Sequence, residues 1–296
     1  MPAKRKPRSK RADDTTIPLF QDLPMPPPTA DLVELRGLRR PVWTEQKAKL
    51  IARYLKLFTF VTKHGTYIDG FAGQQNAEAR EGWAAELVLN NRPRWLRRFY
   101  LCDNDAGQVE ALNALKEQQP PREKKESKRE IEIIRGDFNV AVSDILATRK
   151  LDPATFCLLD QRTFECKWST VAALAGHRPD GQRIELFYFL PIGWIDRAIH
   201  ATTKNPEEID TWWGDKDWRG LVDLQSHEKA RAFQDKFQKL GYRHVWPFPI
   251  WDHQQGDRLM FYMILATDHP EAPKLMWRAY NLGVHDDAGW DQLQLL

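Results

Sequence analysis

Cysteine is the scarcest informative residue in this chain. Cys102, Cys157 and Cys166 are the only three in 296 residues, and no two share a C-x-x-C spacing. That excludes a disulfide-built secreted scaffold and a zinc-ribbon signature. The three read as buried, reduced thiols of a cytoplasmic protein, with no metal site. Long apolar runs are missing too, since none reaches the ~18 residues of a membrane-crossing helix. The basic, proline-containing N-terminus has no apolar segment behind it and does not match a secretory signal. Nor is there a large excess of one charge, the net value being +3. That balance hides an asymmetry. Lys4, Arg5, Lys6, Arg8, Lys10 and Arg11 crowd the tail, so the rest of the chain is net negative. Only the tail carries the electrostatics of nucleic-acid contact, and a solvated extension without a partner fits the same residues.

What is present describes a globular α/β protein. The hydrophobic fraction is 42% and the charged fraction 29%, and the length suits one large domain or two small ones. Residues 1–41 read as a disordered basic and proline-rich tail, with Pro24-Met-Pro-Pro-Pro28 favouring extended geometry. Residues 42–296 read as the folded domain. Trp43, Leu50, Ile51, Tyr54, Leu55 and Phe58 recur at helical spacing over roughly sixteen residues. From residue 64 onward, apolar strand-like runs (65–69, 98–102, 131–135, 155–160 and 184–190) alternate with helical ones (77–91, 105–118, 140–149 and 168–176). Such alternation argues for a parallel sheet covered on both faces. The charged run 120–130 is a surface loop, because the alternation resumes in phase after it. Residues 200–225, with Trp212, Trp213 and Trp218, read as a surface insertion. A helix at 226–240 and strands at 242–250 and 258–267 follow. The connection between those two strands is too short for a crossover helix, so they pair antiparallel. By fold analogy this is the Rossmann-like class I methyltransferase layout: a seven-stranded, mostly parallel sheet with an antiparallel last strand and a Trp-rich insertion.

Ligands of open α/β sheets sit at the carboxyl ends of the strands, near the switch in strand order. The run Thr66-Tyr-Ile-Asp-Gly-Phe-Ala-Gly-Gln-Gln75 is a strand breaking into a glycine-spaced turn, although Gln75 stands where a dinucleotide fingerprint has its third glycine. Reading the strand ends gives Asp69, then Asp103 with Asn104, then Asp137 with Phe138, and finally Asp160. So many carboxylates at one edge call for donors or a positive ligand. S-adenosylmethionine supplies both. In that reading Asp103 takes the ribose hydroxyls, Asp137 accepts from the adenine amino group and Phe138 packs on the ring. Asp69 and the backbone of Gly70, Phe71, Ala72 and Gly73 hold the methionine end. The plainer role of acids after strands is to cap helices, and Asp105 is expected to cap one. Asp160 is the candidate nearest the acceptor, or else it orders the following loop. Lys47 leans over the same edge, or else is an exposed helical lysine.

Trp43-x-x-x-Lys47, Tyr67-Ile-Asp-Gly-Phe-Ala-Gly73, Cys102-Asp103, Gly136-Asp137-Phe138, Leu159-Asp160 with Trp168-Ser-Thr170, and Tyr262-Met-Ile-Leu-Ala-Thr-Asp-His269 together carry a resemblance. Over roughly residues 42–283 the chain resembles the three-Cys-motif partner proteins. That family is similar to S-adenosylmethionine-dependent methyltransferases and accompanies three-Cys-motif proteins in bacterial genomes. The resemblance implies that cofactor, a methyltransferase activity and a three-Cys-motif protein as partner. Two departures stand out. The family favours Pro-Gly after Phe-Ala-Gly, where this chain has Gln74-Gln75. After strand four it favours Asp-Pro with an aromatic and Gly, where this chain has Asp160-Gln161-Arg162-Thr163. The second departure removes the Asn/Asp-Pro-Pro-aromatic loop of amino-directed nucleic-acid methyltransferases.

The leading expectation is therefore a methyltransferase with Asp160 and Lys47 at the reaction edge and Arg162 and Trp168 toward the substrate. Arg162 is expected to bond a strand-end carboxylate, with transfer absent or confined to an anionic acceptor. The alternative is a catalytically degenerate protein of the same fold, acting as a nucleic-acid-binding or complex-forming subunit. The altered loops, the basic tail and Trp faces able to stack on bases motivate it, although most of the twelve tryptophans are expected in the core. A metal-dependent nuclease using Asp69, Asp103 and Asp160 is a third reading, without a further motif.

Overall fold

The computed structural model describes residues 42–43, 46–74, 82–124, 126, 128–192, 195, 206–252 and 258–282. The basic tail, Gln75, the 253–257 connection and residues 283–296 lie outside the described residues.

After a two-residue strand β1 (Val42–Trp43), the chain alternates between helices and strands: α1 (Lys47–Thr62), β2 (Thr66–Asp69), α2 (Ala84–Asn90), β3 (Arg98–Asp103), α3 (Ala106–Glu117), β4 (Glu130–Arg135), α4 (Phe138–Thr148), β5 (Thr155–Leu159), α5 (Trp168–Gly176) and β6 (Glu185–Leu190). Then come α6 (Pro206–Trp213), a 3-10 turn (Asp217–Leu221), α7 (Ser226–Lys239), β7 (His244–Asp252), β8 (Arg258–Thr267) and α8 (Ala272–Leu282). The sheet order is β4-β3-β2-β5-β6-β8-β7-β1. β8 runs antiparallel to both β6 and β7, and the other pairings are parallel. All seven expected strands are in the sheet, and β1 adds a short eighth at the edge. The strand order and the antiparallel β8 define a Rossmann-like class I methyltransferase fold.

Period-two alternation sends the strand side chains to two cores. Ile68, Cys157, Leu159 and Tyr188 face α4, α5, α7 and the insertion. Tyr67, Phe99, Phe156 and Phe187 face α1, α2 and α8. Both faces are thus apolar in the central strands, whereas the outer strand β4 (Glu-Ile-Glu-Ile-Ile-Arg) stays partly exposed and charged, which suits an edge. The expected positions Leu50, Ile51, Tyr54, Leu55 and Phe58 of α1 are buried, and so are Ala48, Ala52, Arg53, Lys56, Leu57 and Thr59, so the helix is covered on nearly all sides. The helix stops where Lys63 turns left-handed (φ 60°) and donates its N–H to the Thr59 carbonyl at 2.8 Å.

The insertion is part of the core. Trp212, Trp213 and Trp218 are all buried. Trp212 lies 4.6 Å from Phe164 and 5.0 Å from Phe233, centroid to centroid. Truncating such a side chain costs about 3–5 kcal/mol. Burial makes core of all three, as expected of most of the tryptophans, and corrects the reading of this insertion as lying on the surface. No helix among the described residues is long and apolar enough to cross a membrane.

Candidate functional site

The chain runs β2, β3, β4 to one side and then returns to place β5 on the other side of β2, so the switch in strand order lies between β2 and β5. The turn after β2 bridges that point. Gly70 N–H donates to the Leu158 carbonyl of β5 at 3.0 Å, and Ala72 N–H donates to the Cys102 carbonyl of β3 at 2.8 Å. Gly73 N–H then donates to Asp103 Oδ2 at 2.8 Å. Glycine is required at both ends of the turn. A Cβ on Gly70 would lie 2.6 Å from the Phe138 ring, and one on Gly73 would lie 2.3 Å from Asp103 Oδ2.

A cavity of about 560 Å³ opens in front of this turn. Of the residues expected there, Gly70, Phe71, Gly73, Asp103, Asn104, Asp137, Phe138, Asp160 and Arg162 line it. Asp103 Oδ1 accepts from Asp105 N–H at 2.9 Å, so each Asp103 oxygen holds one backbone donor and keeps a lone pair. Asp105 caps α3, as expected, by accepting from Gln108 N–H at 2.9 Å. Asp137 caps α4: its Oδ1 accepts from Asn139 N–H at 2.9 Å and from Asn139 Nδ2 at 2.7 Å. Phe138 is buried beneath Gly70 and meets Phe71 edge-on.

Asp69 and Ala72 stand behind the turn and are not among the lining residues. Asp69 is 1% exposed. It accepts from Tyr67 Oη at 2.7 Å and from Phe71 N–H at 3.2 Å. Burial pushes its carboxyl up to about 7, the Tyr67 hydrogen bond opposes that shift, and nearby Asp160 adds to it. Asp69 therefore shapes the turn from inside, with the Tyr67 hydroxyl and the Phe71 N–H as its partners.

Lys47 and Asp160 form a buried ion pair, Nζ to Oδ1 at 2.7 Å. The ammonium also lies 5.3 Å from the ring centroids of both Phe189 and Phe261. The exposed-lysine alternative is thus excluded. Arg162 does not bond a strand-end carboxylate. It is exposed, its Nη2 lies 3.4 Å from the Gln74 carbonyl, and its backbone N–H donates to Glu165 Oε2 at 2.8 Å. Lys47 comes from the first turn of α1 and reaches Asp160 from the covered side, which leaves Arg162 at the rim. Trp168 is outside the cavity as well. Its ring meets Phe237 edge-on at 5.2 Å and carries the Lys236 ammonium at 4.8 Å, which makes it a packing residue between α5 and α7.

Several lining residues carried no signal in the sequence. Gln108 accepts Gln74 N–H at 2.6 Å and pins the far end of the turn. Asn139 donates to the Glu165 carbonyl and accepts from Lys167 N–H and Thr170 Oγ1, which fastens the loop after β5 to α4. Gln161, which the sequence did single out, does not line the cavity but is sealed inside, donating to the Phe189 carbonyl at 3.1 Å and accepting from Cys166 N–H at 2.7 Å. Glu208 and Thr211 bring α6 of the insertion to the cavity wall. The three thiols are free and buried, and burial raises that of Cys102 to about 12. Among the described residues, no three His, Cys, Asp or Glu side chains are gathered to hold a metal ion.

No protein-family model and no curated protein sequence matches the chain. Among solved structures it is similar to the methyltransferase domain of bacterial CtHen1, at 14% identity and a TM-score of 0.42, over 74% of this chain and 98% of that one. It is also similar to an O-methyltransferase from Bacillus cereus in complex with SAH (12%, TM-score 0.44, 80% of this chain and 96% of that one). A third is cofactor-bound Rv0187 from MTB (11%, TM-score 0.44, 80% and 87%). The strand order, not these distant likenesses, defines the fold class.

Proposed function

We propose that the cavity binds S-adenosylmethionine and that the protein is a methyltransferase of the three-Cys-motif partner kind. The observation that carries this reading is the Gly70–Gly73 turn, pinned across the strand switch point with the Asp103 carboxylate facing the same cavity. The residues fit the cofactor. The volume falls within the ~300–1,000 Å³ of small-molecule sites. Asp103 keeps a lone pair on each oxygen for the ribose hydroxyls, and both bonds that cap α4 fall on one oxygen of Asp137. Bound there, the cofactor supplies an electrophilic methyl group on a sulfonium. The chain's part is positioning and exclusion of water. Lys47 holds Asp160 at the cavity wall, and the pair is assigned as positioning residues on the acceptor side. Arg162 and Lys167 line the cavity among a larger number of acids, so its charge does not select an anionic acceptor.

A second reading keeps the cofactor but not the turnover. Gln161 favours it, since at the position where the resembled family carries proline this side chain is locked into the interior. The expected three-Cys-motif partner and the nucleic-acid contact through the tail belong to the proposal as well. Calorimetric titration with S-adenosylmethionine tests the shared step. Wild type should bind, and Asp103→Asn should weaken binding by about tenfold or more, the worth of a charge-assisted hydrogen bond. Absence of wild-type binding removes both readings, whereas binding without transfer to any of a panel of acceptors favours the second.

A further inference from the structure

The opposite, N-terminal edge of the parallel strands holds a second cavity, of about 320 Å³. Its walls include Phe58 and Val61 of α1, Pro153 before β5 and Leu275 of α8. Val61 is 44% exposed, one of two large hydrophobic side chains so exposed among the described residues. Glu185, the first residue of β6, lines this cavity and is 6% exposed. Tyr54 Oη donates to its Oε1, and the Thr267 side chain also bonds it.

Among the described residues no cation meets Glu185. The described residues include five buried carboxylates, and three of them meet one: Asp160 meets Lys47, Asp152 meets Arg98, and Asp268 meets Arg183. A fourth, Asp69, takes a backbone N–H besides its tyrosine. Glu185 has two hydroxyl partners, no backbone donor and an open cavity in front of it. The neighbouring charges are committed. Arg183 bonds Asp180 and Asp268, and His269 Nδ1 accepts Glu271 N–H at 3.2 Å. A buried carboxylate without a counter-charge is costly, and the group best suited to offset it is a cation that brings its own apolar cover.

We propose that this cavity is a second ligand site, one that takes a small molecule carrying a primary ammonium on an apolar body. The ammonium pairs with Glu185 beside the Tyr54 hydroxyl, and the apolar body lies against Phe58, Val61 and Leu275. Burial has pushed the Glu185 carboxyl up to about 7, so at neutral pH an arriving cation meets a group that ionises readily. The site is independent of the cofactor reading, because its residues are at the other end of the strands.

The test is calorimetry on the full chain with 2-phenylethylamine as probe and 2-phenylethanol as its uncharged counterpart. The amine should bind, the alcohol should bind at least about tenfold more weakly, and Glu185→Gln should lose the same factor toward the amine. Saturating S-adenosylhomocysteine should leave amine binding unchanged. The proposal is overturned by equal binding of amine and alcohol, by wild-type affinity in Glu185→Gln, or by absence of amine binding at millimolar concentration. Competition from S-adenosylhomocysteine would move the amine to the first cavity and overturn it too. The amine–alcohol comparison needs only the wild-type protein, so it stands whatever the variant does to folding.

Discussion

The two edges of the sheet each carry a tyrosine bonded to a buried carboxylate, in different settings. At one edge Tyr67 donates to Asp69, and at the other Tyr54 donates to Glu185. Both carboxyls are pushed up to about 7, chiefly by burial. The difference lies in what else reaches them. Asp69 also takes the Phe71 N–H and is sealed behind the glycine turn, so it serves as an internal strut. Glu185 has no backbone donor and opens into a cavity. On the proposal above, the acid that takes a backbone donor and is sealed serves as a strut, whereas the one held by two side-chain hydroxyls, Tyr54 and Thr267, and open to a cavity faces a ligand. Asp160 shows the other solution, a lysine brought from α1.

The sharpest way to break this comparison is to take the lysine away from Asp160. Lys47→Met should cost about 3–5 kcal/mol in urea unfolding at pH 7, because one partner of a buried ion pair is stranded. Adding Asp160→Leu should recover much of that loss. A single variant costing under ~1 kcal/mol would mean that Asp160 is already satisfied without the lysine.

The next effect is in the pH dependence of stability. Both Asp69 and Glu185 have folded-state values near 7, above their ordinary values of 3.8 and 4.5, so the folded protein binds the extra protons between them. The contribution of each to stability is therefore greatest below about pH 4, falls as pH rises toward 7 and is flat above. Asp69→Asn and Glu185→Gln should each remove ~3 kcal/mol of that fall. The measurement is the difference between wild type and variant in unfolding free energy from pH 4.5 to 8. A difference that does not change with pH would show that neither acid is shifted.

Much of the fold was legible because the central strands are short apolar runs in phase with helices. The antiparallel β8 followed from the brevity of the expected connection, residues 251–257. The edge carboxylates were legible too, since each ends a strand or follows one within two residues. Their partners were not. Lys47 lies 113 residues from Asp160, and nothing local distinguishes it from a solvent-facing lysine. Tyr54 reads as one more apolar position of an amphipathic helix, yet its hydroxyl reaches β6. Gln161 looked like a departure that would alter the site, but its amide is consumed by the backbone of its own loop and of β6. The insertion misled in the opposite sense. Its tryptophans sit among charged residues in sequence, and only the packing of α6 on Phe233 and Phe164 shows them as core.

A smaller effect tests the turn that hides Asp69. Gly73→Ala would set a Cβ 2.3 Å from Asp103 Oδ2, so the turn or the carboxylate must move. Overpacking of this kind costs about 1–3 kcal/mol. Thermal unfolding should show that loss together with weaker cofactor binding, since Asp103 loses the Gly73 N–H that orients it. A stability change without any change in affinity would separate the turn from the cofactor site.

Arg162→Ala should give the smallest change. The side chain is exposed and its nearest partner is a carbonyl at 3.4 Å, a long contact that water replaces at little cost. The backbone N–H of residue 162 still donates to Glu165 after the substitution, so the loop after β5 keeps the bond that shapes it. Gln161 and Asn139 hold the rest of that loop without help from the guanidinium. Unfolding free energy should therefore stay within about 0.5 kcal/mol of wild type. Affinity for S-adenosylmethionine should shift less than it does in Asp103→Asn, because Arg162 lines the rim and not the strand end. A loss of ~2 kcal/mol or more would place Arg162 beside an acid after all, and the division between cation-paired and cation-free carboxylates would then have to be redrawn at this edge.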